Sequence, residues 1–275
     1  MRYLSGATGY TIFNSGSLEL PNKSILLLSD IHDGVNYCLR NQPTEYIDIF
    51  LEEKSKSHQI LLEESINDPE LNLTELWPDA EHTTKLRELK EENNKIIPVD
   101  LRPYLIPFSW QFASSNDAYR KFTISQYLHC FDNFFNYNGK TYEKFIFPYY
   151  EFINTENKKR LYTIFILIKN EYLKFKSKYP GVTKIGDLLE KDKSHMDSID
   201  HINSLIMEYY ILVLILSDRR DTIIHTGLAH STRLKKFLVE DFNFIIKKDS
   251  NMTHINQYTG SNQTVACIPK PDFNI

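Results

Sequence analysis

Four short apolar runs in this chain each end in side chains that can move protons or hold charge. Asp30 and His32 follow Ser24–Leu28, Glu63 and Glu64 follow Gln59–Leu62, Asp100 and Arg102 follow Lys95–Val99, and Gly227 and His230 follow Asp221–Ile224. Imidazoles, carboxylates and a guanidinium together can supply a base, an acid and an anion clamp, the parts of general acid–base catalysis. The same donors suit a divalent first-row metal with open positions, such as Mn, Co, Fe or Zn, which draws the pKa of a bound water toward neutrality. The metal set would then be His32, Glu63 and His230.

Each cluster has a plainer reading beside the chemical one. Ser29-Asp30-Ile31-His32-Asp33-Gly34 is a polar loop after an apolar strand, equally readable as a capped turn. Glu63 and Glu64 are adjacent, so in extended backbone they point to opposite faces and one of them enters the crevice; the alternative is a charge at a following helix start. Asp100 and Arg102 share a side if the strand continues, giving a carboxylate or oxyanion clamp or a buried structural ion pair, with Asp100 orienting Arg102 or a His. His225-Thr226-Gly227-Leu228-Ala229-His230 is a turn of small residues that lets backbone approach a ligand and places His230 at a helix start, with His225 as its supporting partner. His32 and His230 are then metal ligands or a base and an acid, and Glu63 or Glu64 is a ligand or the general base.

These residues need a sheet to bring them together. The runs Ser24–Leu28, Gln59–Leu62, Lys95–Val99 and Asp221–His225 have strand length, and helical spacing over 44–56, 82–93 and 231–240 lies between or after them. Alternating strands and helices predict an α/β fold with a mainly parallel central sheet flanked by helices, whose strand ends open on one crevice. Tyr10–Phe13 and Ser17–Leu20 around Asn14-Ser15-Gly16 predict a hairpin at one edge, and 242–247 a last strand. Between residues 103 and 218 the texture turns helical, with apolar residues three and four apart over 119–137, 142–152, 159–178 and 199–216. The expected organisation is a discontinuous α/β core of residues 1–102 and 219–275 with a helical insertion or lid of 103–218. Residues 249–264 read as an irregular tail.

Composition excludes several classes. The 275 residues carry a net charge of −4 with 41% hydrophobic and 25% charged side chains, which is an ordinary globular balance with no basic footprint for nucleic acid. The longest apolar run, Tyr209–Leu216, is shorter than a bilayer crossing and reads as a buried helix. Met1–Gly16 lacks the features of a secretory signal, so a cytoplasmic or intracellular protein is expected. Three cysteines, Cys38, Cys130 and Cys267, without CxxC spacing predict neither a disulfide framework nor a zinc–thiolate site. Abundant Asn, Ile, Lys, Tyr and Phe resemble coding from an AT-rich genome, such as that of a large DNA virus.

The ordered motifs resemble the erythromycin-esterase, ChaN, TraB and Tiki superfamily. The residues that carry the resemblance are Ser29-Asp30-Ile31-His32, Glu63 or Glu64, Arg102, and Gly227-Leu228-Ala229-His230 with the helix 231–238 after it; the match covers about residues 24–102 and 219–247. The family's first motif usually has Gly where this chain has Ser29, and the block between has no counterpart. The resemblance implies hydrolysis at a His, Glu and Arg site in several members, metal-dependent peptidase chemistry in the Tiki-like ones, and haem binding in the ChaN-like ones. The expected partner is therefore a small-molecule or peptide substrate.

Two other readings compete. Asp30-Ile31-His32 and the late Gly227–His230 segment resemble the ends of a calcineurin-like metallophosphoesterase, whose middle motifs this chain lacks. Alternatively the chain is a scaffold or virion-associated protein on an inherited hydrolase fold. Its helical block, which includes Phe108, Trp110, Phe112, Phe131, Phe134, Phe135, Tyr149 and Tyr150, would then be the surface for a protein partner.

Overall fold

A computed structural model describes residues 2–16, 22–31, 36–39, 41–66, 81–105, 120–137, 139–191, 194–250 and 265–273. His32 and the expected strand Ser17–Leu20 lie outside the described residues, as does most of the expected tail. The chain divides into two compact units, the first of residues 1–64, 77–99 and 218–275, the second of 65–76 and 100–217.

The first unit is built on strands β1 (Tyr3–Ser5), β2 (Gly9–Ser15), β3 (Ser24–Asp30), β4 (Asn36–Tyr37) and β5 (Thr44–Tyr46). Helix α1 (Ile47–Lys54), β6 (Gln59–Ser65), α2 (Glu81–Glu92) and β7 (Ile96–Asp100) follow. A mixed sheet of six strands runs in the order β7, β6, β8, β3, β2, β9, where β8 is Thr222–Gly227 and β9 is Phe244–Asp249. Its centre is parallel: β8 lies between β6 and β3, with Leu62 and Leu28 both in register with His225. The other side is antiparallel: β2 pairs with β3 and with β9, while Ser17–Leu20, the expected hairpin partner of Tyr10–Phe13, lies outside the described residues.

Burial on both faces explains the uninterrupted apolar runs, since Ile25–Leu28, Ile60–Leu62 and Ile223–Ile224 are all fully buried. One face, presenting Leu26, Leu28, Ile60, Leu62 and Ile223, packs on α1 and α2 through Ile47, Phe50, Leu51, Leu86 and Leu89. At the amino end of β3, the Nζ of buried Lys23 donates to the carbonyls of Asp218 and Arg220, each at 2.7 Å.

A second sheet, in the order β4, β10, β1, β5, was not anticipated; β10 is Val265–Pro269. Its strands are two to five residues long, too short to show a period, and Thr44–Tyr46 had read as the start of a helix. Gly6, between β1 and β2, has φ +105°, and a Cβ there would lie 2.6 Å from Ile47 Cγ2. Only glycine takes that backbone without strain.

The expectation of unpaired cysteines is corrected. Cys38, after β4, is disulfide-bonded to Cys267 in β10, with Cα atoms 4.9 Å apart and a sequence separation of 229. Local spacing carries no information about a bond made by strand pairing at that range.

The second unit is helical, consisting among the described residues of α3 (Arg102–Leu105), α4 (Ile124–Phe135), α5 (Lys140–Phe145), α6 (Phe147–Tyr150), α7 (Thr155–Lys178), α8 (Ile185–Lys191) and α9 (Ser194–Ser217). Start signals are explicit: Thr123 and Gln126 form a capping box at α4, and the Asn154 side chain accepts the Asn157 N–H at α7. Phe134, Phe135, Phe165, Tyr142 and Tyr209 form an aromatic core among α4, α5, α7 and α9. The segment 197–217 of α9 is long and apolar enough to cross a membrane by length and composition, yet 78% of its apolar window is buried inside the protein, as in a core helix.

Candidate acid–base site

The carboxyl ends of β3, β8 and β6 lie side by side, with Asp30 in register with Gly227 and Leu62 with His225. Because side chains alternate along a strand, the expected site residues there divide between the two faces of the sheet.

On the face away from α2, Glu63 extends from β6 toward helix α10 (Leu228–Glu240). Its Oε2 accepts the backbone N–H of Gly227, the N-cap of that helix, at 2.6 Å, and its Oε1 lies 3.3 Å from His230 Nε2. A carboxylate at a helix start is held by free backbone N–H groups and by the helix dipole. The Arg233 guanidinium, at 3.3 Å, can only donate, so His230 Nδ1 accepts and its proton sits on Nε2, facing Glu63. Both side chains are under a tenth exposed. Beneath them, Ser231 Oγ and Thr226 Oγ1 are hydrogen-bonded at 2.9 Å.

Ser29, where the resembled motif usually has Gly, belongs to the same face. Its carbonyl accepts from Thr8 N–H at 2.8 Å and from Thr8 Oγ1 at 3.1 Å. Its own hydroxyl is buried and finds no hydrogen-bond partner among the described residues.

On the α2 face Glu64 meets Arg87 of α2, with 3.6 Å between Oε2 and Nε. Asp30 and His225 are on this face too, separated by the sheet from Glu63 and His230. Asp30 Oδ2 lies 2.8 Å from Nε2 of His82 and 4.0 Å from Nε2 of His225, and all three residues are buried. The other nitrogen of His82 faces the Tyr37 hydroxyl at 2.9 Å, and that hydroxyl also accepts the His82 backbone N–H at 3.3 Å. One assignment satisfies these three contacts: Tyr37 O–H donates to Nδ1, and Nε2–H donates to Asp30. Burial pushes the Tyr37 phenol above its ordinary pKa, which keeps it a donor.

His82 and Tyr37 were not among the expected site residues. His82 carried a readable signal, since it stands at helical spacing with the buried Leu86 and Leu89 and so shares their inward face. Tyr37 carried none.

Arg102 and Asp100 belong to the second unit. Arg102, expected as an oxyanion or substrate clamp, forks onto Asp100: Nε donates to Oδ1 at 2.8 Å and Nη2 to Oδ2 at 2.9 Å, with the Arg102 backbone N–H also on Oδ1. Asp100 is fully buried, so the guanidinium neutralises a carboxylate of its own chain.

The donor set can be tested against the expected metal. Oε1 of Glu63 and Nε2 of His230 are spaced as two ligands of one ion can be, but an imidazole ligating through Nε2 carries its proton on Nδ1. Here Nδ1 faces the Arg233 guanidinium, donor against donor, so the pair as arranged does not fit a metal. Among the described residues no group of three His, Cys, Asp or Glu side chains is arranged to hold one; His32 lies outside them.

Fold and geometry thus define an α/β protein with two separate carboxylate–imidazole pairs at the carboxyl edge of a parallel sheet centre. Comparison with family models, curated proteins and solved structures finds no match.

Proposed function

We propose that the protein is a hydrolase of an ester or peptide bond in which Glu63 is the general base. The observation that carries this reading is the clamp on Glu63, whose two oxygens take the Gly227 N–H and the Nε2–H of His230 at the start of α10. A carboxylate so oriented keeps lone pairs for a water proton, and His230, with both ring nitrogens engaged, positions Glu63. As the substrate carbonyl is attacked, the proton passes from water to Glu63 and then to the leaving group. The order of motifs behind β3, β6 and β8 supports placing the chain with the erythromycin-esterase, ChaN, TraB and Tiki superfamily, the helical unit standing as its insertion.

A second reading, a non-catalytic scaffold, is favoured by the burial of Asp30, His82 and His225, which hold one another away from solvent. One experiment separates the two. Purified protein is screened on aryl esters, lactones, aryl phosphates and a peptide library, with and without prior chelation, beside Glu63→Gln. Turnover of an ester or peptide that survives chelation and is lost in Glu63→Gln supports the base. Turnover lost on chelation supports a metal, phosphate turnover the phosphoesterase reading, and no turnover by folded protein the scaffold.

A further inference from the structure

The Tyr37–His82–Asp30 chain reaches a covalent bond one residue beyond its end. Tyr37 belongs to β4, a strand of two residues whose pairing with β10 consists of Asn36 opposite Val265 and Tyr37 opposite Ala266. The next residue on each strand is Cys38 or Cys267, and these two are joined. Both cysteines are half-buried. A two-residue strand pair is marginal by itself, whereas a bond closing a loop of this length strongly restricts the chain.

We propose that the Cys38–Cys267 disulfide is a redox-sensitive clamp that seats the Tyr37 hydroxyl on His82, so that the buried proton chain to Asp30 is complete only in the oxidised protein. Two electrons and two protons from a dithiol reductant convert the disulfide to two thiols, and the reductant becomes its own disulfide. β4 is then tied to β10 only by its two-residue pairing, and Tyr37 withdraws. His82 loses the donor that fixes its tautomer together with the acceptor of its backbone N–H. The buried Asp30 keeps an imidazole neighbour whose proton is no longer confined to Nε2. The proposal concerns the α2 face and does not require that Glu63 hydrolyse anything.

The test uses the full chain, with ¹⁵N-labelled histidine followed by NMR and amide exchange before and after treatment with dithiothreitol. In the oxidised protein His82 shows a single Nε2–H tautomer. After reduction, with circular dichroism unchanged, its ring signals move to a tautomer mixture and its amide exchanges about tenfold faster, the scale of one lost hydrogen bond. Tyr37→Phe reproduces both changes with the disulfide intact, and reoxidation restores the first state in the wild type. Three results overturn the proposal: free thiols at both cysteines in protein purified without reductant, His82 signals that ignore reduction, or global unfolding on reduction, which would make the bond a general staple.

Discussion

Glu63 and Glu64, neighbours in the chain, serve opposite faces of the sheet: Glu63 holds the start of α10 through Gly227, and Glu64 faces Arg87 of α2. One charged pair therefore yields one candidate base and one structural ion pair, and mutagenesis separates them.

Replacing Glu63 by Gln keeps an oxygen for the Gly227 N–H but removes the base. Turnover should fall by about 10²–10⁴-fold in a protein that still folds, while the Gln amide, donor against the Nε2–H of His230, lowers the melting temperature. His230→Asn, which removes the ring that positions Glu63, should lower kcat by about tenfold and leave KM nearly unchanged. Steady-state kinetics on the best substrate of the screen checks both, and a Glu63→Gln enzyme of full activity would rule Glu63 out as base.

Glu64→Gln should do the reverse. Turnover stays within about twofold of wild type, while the weakened contact with Arg87 costs about 1–2 kcal/mol in urea unfolding, because both partners are largely buried.

Lys23 gives a pH signature. Burial, against the opposing pull of Asp218 and Asp221, lowers its pKa from 10.5 to about 8. Between those values the unfolded chain binds the proton that the folded protein has released, so this group makes stability rise with pH. Its contribution is fully present above pH 10.5 and is lost as pH falls through about 8. Urea denaturation at steps from pH 7.5 to 10.5 should show the wild type gaining on Lys23→Met by on the order of 3 kcal/mol. A constant difference across that window would mean that Lys23 titrates normally.

Gly6→Ala should destabilise by about 2–3 kcal/mol, because alanine there adopts φ +105° and drives its methyl into Ile47. The same methyl would lie 3.3 Å from His82 Cβ, so the His82 ring signals should shift as well. Thermal melts and histidine NMR of one sample read both effects.

The strand ends were legible because the middle of a strand buried on both faces is apolar, and polar side chains return in its last residues, where they find partners. Ser24–Leu28 and Gln59–Leu62 therefore marked where Asp30 and Glu63 would emerge. Which of Glu63 and Glu64 faced which helix needed the parity of the strand, with Ile60, Leu62 and Glu64 on one side and Leu61 and Glu63 on the other. It also needed to be known which face α2 covers, and no local pattern supplies that. The same parity places Asp30 and His225 with α2, although their motifs had seemed to converge with His230. Tyr37 and the Cys38–Cys267 bond were invisible for a different reason, since they arise where a two-residue strand meets a distant one, below the length at which any period exists.

The position of β8 has a consequence for how the chain is made. Thr222 is hydrogen-bonded to Gln59, 163 positions earlier, and β8 is the strand that joins β6 to β3. During synthesis the apolar edges of β3 and β6 therefore wait, unsatisfied, while every residue of the helical unit is added. Contacts of such long range are slow to form, and exposed strand edges recruit other chains. A nascent chain stalled before residue 222 should be an aggregation-prone client for holdase chaperones, and release of the β8 segment the step that ends that dependence.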